Sequence, residues 1–295
     1  MNVHELPMVS IVIPAFNAGP RITRLLESLE SQQYPRERFE IIVVDNGSQD
    51  DTRERVANFP VLLLSETRRR NPGSARNTGV QQARGEVIAF IDADCVATSG
   101  WIAEAVTMIH TEKADLVAGN IQWLYSTPRG AAEIFDSLVH LRNDIHARES
   151  NTAVTANLVV RSAVFAKTGL FSEWKAGEDY SFCLRAAAAG FRMVFGPTVL
   201  VLHESRTLWP LLRKAWRVGR YHHHLVVVGG QSTDGSFGTA LKAFIPGSRK
   251  HVRKLVRERG TPDMEPSVTR VWLISYLYNL IWGSAAITSR FRRVE

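Results

Sequence analysis

Short apolar runs alternate with segments of helical periodicity along residues 9–91. Each run has the length and the largely apolar composition that are typical of a strand buried on both faces. Because helical patterns separate the runs, their order predicts right-handed strand–helix–strand units and a mostly parallel α/β sheet flanked by helices. The four runs span residues 9–14, 39–44, 61–64 and 87–91.

The pattern continues with less regular spacing to residue 205. The longest helix predicted in this part of the chain covers residues 129–149. The Gly196-Pro197 step separates the last two predicted strands, because proline cannot donate a hydrogen bond to a strand ladder. Helices are predicted at 100–111, 129–149 and 178–190, and strands at 116–124, 155–161, 191–195 and 199–202.

Acidic side chains stand where two of the first strands end: Asp45 closes one, and Asp92 and Asp94 follow another. Ligands bind at the carboxyl ends of strands in open α/β sheets, and residues i and i+2 of a strand point the same way. Asp92 and Asp94 could therefore face one ligand, and two hard oxygen donors suit Mg²⁺ or Mn²⁺ bridging to phosphate. The alternatives are solvated turn carboxylates or an N-cap for the following helix.

Two nucleotide-binding signatures are absent from the sequence. No Gly-x-Gly-x-x-Gly and no Walker-type Gly-Lys-Ser/Thr follows any of the predicted strands. A dinucleotide oxidoreductase and a P-loop enzyme therefore have little support.

Charge is unevenly distributed along the 295-residue chain, whose net charge is +7. Residues 1–202 carry 20 Lys+Arg and 23 Asp+Glu, a net −3, whereas residues 203–295 carry 16 and 6, a net +10. This asymmetry indicates a polyanionic partner, and the lack of a nucleic-acid recognition motif favours an anionic membrane over nucleic acid. The two cysteines, Cys95 and Cys183, give no disulfide framework and fit a reducing compartment. The apolar N-terminal segment is too short, and lacks the basic lead, for a signal peptide.

The basic C-terminal third has a helical pattern. Residues 207–228 read as a basic amphipathic helix, and residues 249–259 as a second basic segment. Residues 271–289 carry no charge, and a helix of that length is about 28 Å long, just short of a membrane's hydrocarbon core. Its polar residues and its Trp and Tyr side chains favour a helix that lies in the membrane interface. A spanning helix and a packing or dimerisation helix are the alternatives.

Five motifs, taken together in this order and spacing, resemble family 2 glycosyltransferases of the GT-A fold. The resemblance covers roughly residues 8–205. It implies a Rossmann-like nucleotide-diphospho-sugar transferase domain at 1–205, with a donor-binding half at about 1–95 and an acceptor and catalytic half at about 96–205. Little transfers from the family to residues 206–295, which the charge and helical pattern predict to be a basic, amphipathic, helical C-terminal region with membrane association as one option. The motifs are Ser10-Ile-Val-Ile-Pro-Ala-Phe-Asn17, Glu40-Ile-Ile-Val-Val-Asp-Asn-Gly-Ser-Gln-Asp-Asp-Thr52, Gly73-Ser-Ala-Arg-Asn-Thr-Gly79, Ala83-Arg-Gly-Glu-Val-Ile-Ala-Phe-Ile-Asp-Ala-Asp94 and Gly177-Glu-Asp179.

The resemblance also implies roles for the acids. Asp94 would be the principal ligand of Mn²⁺ or Mg²⁺, Asp92 would contact the ribose or assist the metal through water, and His203 would complete the metal shell. Asp179 would be the base that takes the proton of the acceptor hydroxyl, with Glu178 as the neighbouring alternative. The competing interpretations are a packed or capping histidine at 203 and mere first-turn acids at 178 and 179.

The donor site implied by the resemblance lies along the ends of the first strands. The backbone near Asn17 would line the base and ribose, Asp45 would face one of them, and Arg76 or one of the arginines at 68–70 would contact phosphate. Asp45 as a turn former and Phe16 as a core residue are open alternatives. The implied donor-binding residues are Pro14, Ala15, Asn17, Asp45, Arg76, Asp92 and Ala93.

We therefore expect an inverting, metal-dependent hexosyltransferase that moves a sugar from a nucleoside-diphosphate sugar, with UDP- and GDP-sugars as first candidates, to a hydroxyl of a glycan or polyprenyl-linked acceptor. The expected role is polysaccharide biosynthesis at the cytoplasmic face of the plasma membrane, with peripheral attachment and a homodimer as an option. The alternatives are a catalytically silent glycosyltransferase-like binding or scaffold protein and a sugar nucleotidyltransferase. The nucleotidyltransferase is disfavoured because no Gly-rich loop follows the first strand.

Overall fold

The computed structural model describes residues 6–174, 176–228 and 234–289. Its internal contacts divide the chain into two compact units, which we call the sheet unit and the helical unit. The sheet unit consists of Met1–Gln122 and Leu141–His203, and the helical unit of Trp123–His140 and Glu204–Glu295. The chain thus enters the helical unit twice, and the predicted domain boundary between residues 205 and 206 stays a prediction.

Within the described residues, eight strands form one sheet. The strands are β1 (Val9–Ala15), β2 (Phe39–Asp45), β3 (Leu62–Ser65), β4 (Val87–Ile91), β5 (Cys95–Ala97), β6 (Leu116–Leu124), β7 (Asn157–Arg161) and β8 (Met193–Glu204). The helices are α1 (Gly19–Glu30), α2 (Thr52–Val56), α3 (Pro72–Gln82), α4 (Trp101–Thr111), α5 (Ala131–Val139), α6 (Asn143–Ser150), α7 (Ala163–Thr168), α8 (Glu178–Ala188), α9 (Leu208–Gly219), α10 (His222–Val228), α11 (Asp234–Lys242), α12 (Arg249–Arg259) and α13 (Val268–Ser289), with short 3-10 helices at Arg36–Arg38 and Pro262–Ser267.

The sheet has the strand order β3-β2-β1-β4-β7-β6-β8-β5. The four strands predicted from the first apolar runs are mutually parallel, as expected. Beyond β4 the pairing changes, because β7 is antiparallel to both β4 and β6, and β5 is antiparallel to β8. The carboxyl end of β4 therefore lies where the parallel half of the sheet meets the mixed half.

Helices cover both faces of the sheet. Ile11 and Ile13 of β1 face the side on which α1 and α4 pack, whereas Val12 and Phe90 face the side of α7 and α8. All four side chains are fully buried, and such burial contributes about 1.5–3 kcal/mol per large apolar side chain. This two-sided burial explains why the strands read as continuous apolar runs.

Two predicted elements of the sheet unit are wrong in detail. Residues 191–204 do not hold two strands but the single strand β8. The three-residue strand β5 pairs only with residues 201–203 of β8, so no ladder bond from β5 is required at Pro197. The strand β5 was itself not predicted, since three residues carry no periodicity.

The single helix predicted over 129–149 is also wrong. It is interrupted between α5 and α6, where Leu141 adopts a left-handed φ of 53°. The Asn143 side chain donates hydrogen bonds of 3.0 Å to the carbonyls of Gly119 and Asn157, and it accepts one of 2.8 Å from the amide of Val154. These contacts fix the start of α6 within the sheet unit, and no apolar spacing could reveal them.

In the helical unit, α13 is the central element and contacts α5, α9, α10, α11 and α12. The close approach of α9 to α13 depends on Gly219, where an added Cβ would lie only 2.4 Å from the carbonyl oxygen of Trp282. The basic helix predicted at 207–228 is divided into α9 and α10 at residues 220–221. The uncharged stretch 271–289 lies within α13, as predicted, but α13 has packing partners along its length.

A buried polar network also stabilises the helical unit. Asp136 is fully buried and lies 2.7 Å from Nδ1 of His140, 3.2 Å from Arg206 and 3.8 Å from Lys214. The Nε2 atom of His140 is 3.1 Å from the hydroxyl of Tyr278 on α13. Burial, assisted by Lys214, lowers the pKa of His140 to about 4 although Asp136 opposes this shift, so the imidazole is neutral at pH 7.

One helix among the described residues, Pro262–Ser289 with its 3-10 lead, is long and apolar enough to cross a membrane. These are criteria of length and composition alone, and the central helix of a soluble helical unit satisfies them as well. Of the apolar window of this helix, 28% is buried, so the interfacial, spanning and packing interpretations of residues 271–289 all stay predictions.

Candidate active site

The acids Asp92 and Asp94 follow directly on β4. They lie in a turn, closed by a 3.0 Å hydrogen bond from the amide of Cys95 to the carbonyl of Asp92, and not on an extended strand. Both carboxylates are partly exposed, and each has a different contact: Asp92 with Arg76, Asp94 with His203. The turn therefore brings one acid to Arg76 and the other to His203.

His203 lies beside Asp94, with 3.3 Å between Nε2 of the imidazole and Oδ1 of the carboxylate. The antiparallel pairing of β5 with β8 produces this contact, because Cys95 and His203 are partners in the register. His203 is fully buried. The ligand atoms of Asp94, Cys95 and His203 lie within 4.8 Å of one another, so the three side chains form a group that could hold a metal ion.

Arg76 connects the acid turn to the start of α8. Its Nη2 atom is 2.8 Å from Oδ1 of Asp92, and its Nη1 atom is 2.8 Å from Oε1 of Glu178. Arg76 is buried, which disfavours its charge, but the carboxylates of Asp92, Glu178 and Asp179 outweigh that effect and raise the pKa of Arg76. The guanidinium thus pairs with two of the predicted site acids, and the charge of a third, Asp179, also acts on it.

Helix α3 carries Arg76 and is fixed at both its start and its middle. Asn71 caps the helix by accepting a 2.8 Å hydrogen bond from the amide of Ser74, and Pro72 occupies the first turn. One turn later the Asn77 amide exchanges two 2.9 Å hydrogen bonds with the backbone of Phe171, in the segment that leads to α8. These bonds hold the Arg76 helix against that segment.

Glu178 and Asp179 occupy the first turn of α8, after Gly177 with a left-handed φ of 81°. Glu178 is buried and accepts from Arg76, whereas Asp179 is more accessible. His146 of α6 lies near Asp179: burial lowers the pKa of His146, and the Asp179 charge opposes that shift. The predicted catalytic acids therefore lie on the same side of the sheet unit as Asp92, and His146 is a neighbour that no sequence motif indicated.

The ends of β1 and β2 form the predicted donor side. Asp45 is buried, accepts a 3.1 Å hydrogen bond from the amide of Ser48 and is 3.1 Å from Arg53. Burial raises its pKa, but these hydrogen bonds and the Arg53 charge bring the net pKa below the usual value. Asn17 bonds to the same loop, since its amide donates to Ser48 Oγ at 2.9 Å and its side chain accepts from the amide of Gln49 at 2.8 Å.

The remaining donor-side predictions differ in exposure. Ala15 and Ala93 are buried and Pro14 is partly buried. Phe16 is not a core residue: its side chain is 54% exposed at the carboxyl end of β1.

Two of the three arginines at 68–70 form ion pairs. Arg68 lies 2.9 Å from Glu66, and Arg69 lies 2.9 Å from Glu173. The Arg68 contact, with backbone amides of the same loop, lowers the pKa of Glu66 to about 2. Arg70 packs over the backbone of Gly47, whose φ is +85°, and so lies beside the donor-side loop.

Comparison with known proteins gives the class to which this fold and site belong. The profile described as "Glycosyl transferase family 2" matches residues 10–134, and that described as "Glycosyl transferase family group 2" matches residues 87–292. The chain belongs to glycosyl transferase family 2: it is a glycosyltransferase with the GT-A fold. Both the resemblance and the fold class expected from the sequence are confirmed.

Two curated relatives are similar to this chain in sequence. Glycosyltransferase AglE of Haloferax volcanii is 30% identical over 299 residues, which cover 98% of each chain. Pre-mycofactocin glycosyltransferase of Mycobacterium tuberculosis is 30% identical over 213 residues, which cover 68% of this chain and 43% of the relative. The chain therefore matches the first relative throughout and less than half of the second.

Two solved structures share the fold. The mannosyltransferase PcManGT of Pyrobaculum calidifontis, in complex with GDP-Man and Mn²⁺, has a TM-score of 0.64 and 18% identity over 98% of this chain and 88% of that one. S. aureus TarS 1–349 in complex with UDP-GlcNAc has a TM-score of 0.56 and 19% identity over 96% of this chain and 92% of that one. At these identities the likeness concerns the fold.

Proposed function

We propose that this chain is an inverting, metal-dependent glycosyltransferase that moves a sugar from a nucleoside-diphosphate sugar to a hydroxyl of a glycan or a lipid-linked acceptor. The observation that carries the proposal is the Arg76 bridge, with 2.8 Å contacts to Asp92 in the acid turn and to Glu178 in the first turn of α8. It connects the turn proposed to bind the donor to the helix end proposed to supply the base.

The donor set fits a divalent cation. Two ligands that each lie about 2.1 Å from one ion at right angles are about 3 Å apart, close to the 3.3 Å between Asp94 and His203. Carboxylate and imidazole suit Mn²⁺, and carboxylate suits Mg²⁺. We assign Asp94 and His203 as the ligands and Asp92 as a residue that contacts the ribose or a metal-bound water. When bound, the cation would neutralise the donor diphosphate and act as a Lewis acid on the leaving group.

The chain's own groups then divide into positioning and proton transfer. Glu178 is engaged by Arg76 in a buried ion pair, so we assign proton abstraction from the acceptor hydroxyl to the more accessible Asp179. Asp179 lies in the first turn of α8, directly after Glu178. An ionised carboxylate there can accept the proton as the hydroxyl oxygen attacks the anomeric carbon.

On the donor side, we propose that the backbone of residues 14–17 and the Asp45 carboxylate hold the ribose and base. The exposed ring of Phe16 is free to stack on a nucleobase. UDP- and GDP-sugars are the first candidates, since PcManGT and TarS were solved with GDP-Man and UDP-GlcNAc. A cytoplasmic location is proposed with this function, because the two buried cysteines form no disulfide, which suits a reducing compartment.

The test begins with a thermal-shift screen of UDP, GDP, CDP and dTDP with Mn²⁺, followed by transfer and donor-hydrolysis assays with the matching sugar. We expect Asp179→Asn to keep donor affinity and to lose about 10²–10⁴-fold in turnover. The matched control is Glu149→Gln, an exposed acid at the end of α6. Near wild-type turnover of Asp179→Asn would remove Asp179 from the role of base, and release of pyrophosphate in place of sugar transfer would indicate a nucleotidyltransferase.

A further inference from the structure

Exposed apolar side chains are concentrated in the helical unit. Of the eleven large apolar side chains that are exposed among the described residues, nine belong to this unit. Three of them lie within five residues at the end of α11: Leu241 is 48% exposed, Phe244 40% and Ile245 67%. Exposed apolar side chains that cluster in this way mark an interaction surface.

Hydrogen bonds fix the backbone of residues 241–245, which we call the apolar turn. The amides of Phe244 and Ile245 donate to the carbonyls of Leu241 and Lys242 at 3.1 and 3.0 Å, and the Tyr276 hydroxyl donates to the Phe244 carbonyl at 3.1 Å.

Trp272 of α13 continues this support, since its indole N–H donates to the carbonyl of Gly247 and its ring contacts the guanidinium of Arg249 at 4.8 Å. Ala243, between the exposed residues, is buried against Gly283. The backbone of the turn is therefore hydrogen-bonded and Ala243 is buried, while the side chains of Phe244 and Ile245 are exposed.

Cations flank the turn in the sequence. Residues 242–259 contain seven Lys or Arg and a single acid, Glu258. Helix α12 buries Val252 and Val256, which leaves its basic residues exposed on the opposite face. Lys242, Lys250 and Arg253 are exposed and lie on either side of the apolar turn in the sequence.

We propose that residues 241–253 are a docking element for an anionic membrane surface. Phe244 and Ile245 would enter the headgroup and upper acyl region, and the flanking Lys and Arg side chains would contact lipid phosphates. An apolar tip flanked by cations fits this partner, because the tip gains burial in the interface and each cation near the surface adds attraction. The proposal does not depend on the catalytic assignment.

This element differs from the interfacial helix expected from the sequence. Helix α13 contributes to it by hydrogen bonds from Trp272 and Tyr276 to the backbone of the turn. Attachment would then be peripheral, through one turn and one basic helix.

The test is co-sedimentation of the full chain with phosphatidylglycerol-containing vesicles and with pure phosphatidylcholine vesicles. We expect binding to the anionic vesicles only, weakened by salt. Phe244→Glu/Ile245→Glu should reduce the partition coefficient at least about tenfold, and Lys250→Gln/Arg253→Gln should also reduce it. The control, Leu62→Glu, alters a leucine of β3 in the sheet unit that is 43% exposed, close to the exposure of Phe244, and should bind as wild type.

Thermal unfolding by circular dichroism shows that each variant is folded, and the two pairs of substitutions test the element independently. Wild-type binding by both pairs, equal binding to neutral vesicles, or no binding to anionic vesicles would overturn the proposal. An unchanged donor-hydrolysis rate in the Phe244→Glu/Ile245→Glu variant separates this result from the outcome of the catalytic tests.

Discussion

Replacing Arg76 with methionine removes a buried charge that two carboxylates share. Asp92 and Glu178 each lie 2.8 Å from its guanidinium, and the Arg76 side chain is only 4% exposed. Methionine fills much of the same space without a charge, so the principal effect is the loss of the partner of two acids and not a cavity.

The expected loss in the free energy of unfolding depends on how exposed those two acids are. Removing one partner of a buried ion pair costs about 3–5 kcal/mol, because it leaves an uncompensated charge. Glu178 is 7% exposed and gains little hydration, whereas Asp92 is 29% exposed and can be hydrated in part. We therefore expect a loss of about 3 kcal/mol, which lowers the unfolding midpoint of a unit of this size by roughly 6–12 °C. Arg76→Lys keeps the charge without the planar fork and should fall in between.

Urea unfolding followed by circular dichroism measures this loss. The control is Arg84→Met, which breaks a 2.8 Å pair with Glu40 in which the arginine is 76% exposed and should cost at most about 1 kcal/mol. Adding Glu178→Gln to Arg76→Met should restore part of the stability, since the buried acid then carries no charge. A loss no larger than that of Arg84→Met would refute the assignment of Arg76 as the cation that holds the site together.

Three further predictions concern stability and metal binding. Burial lowers the pKa of His140 to about 4, so between pH 6.5 and pH 4 the unfolded chain binds a proton that the folded chain does not bind. The free energy of unfolding should therefore fall as the pH drops from 6.5 to 4, by roughly 3 kcal/mol at most. In urea unfolding across that range, the fall should be shallower for His140→Asn than for the wild type. The control, His251→Asn at an exposed position, should show the same fall as the wild type. Gly219→Ala should cost about 1–3 kcal/mol through the close contact of α9 with α13, whereas Gly238→Ala, in open space on α11, should be neutral or stabilising in thermal melts. Cys95→Ala should change the calorimetric Mn²⁺ affinity by less than about threefold, since Mn²⁺ prefers oxygen and nitrogen ligands; a tenfold drop would make the thiol a ligand.

The parallel half of the fold could be predicted because its signal is local. The strands β1, β2 and β4 are buried on both faces, and such strands appear in the sequence as apolar runs; β3, at the edge of the sheet, is apolar in sequence but partly exposed. The antiparallel half could not be predicted in the same way. The strand β5 has three residues, and the break before α6 depends on hydrogen bonds from Asn143 to carbonyls 14 and 24 residues away in the chain.

In the candidate site, too, the sequence indicated the residues but not the partners that they contact across long distances in the chain. The sequence singled out Asp92, Asp94, Glu178, Asp179 and His203 as candidates, and the structure gathers four of these around two contacts: Arg76 with Asp92 and Glu178, and Asp94 with His203. The partners could not be assigned from spacing. Arg76 is separated from Glu178 by 102 residues, and the sequence pointed to phosphate as its partner.

The ion pairs in turn suggest how the acids divide their work. A carboxylate already paired with a buried guanidinium is held in one place and has less capacity to accept a proton or a metal, and Glu178 is in that position. Asp92 shares the same cation through one oxygen, which leaves its other oxygen for the ribose or a water. Asp94 and Asp179 make no contact with the guanidinium within ion-pair distance among the described residues. If the proposed chemistry holds, Glu178→Gln should therefore reduce turnover less than Asp179→Asn does, and the reverse order would exchange their roles.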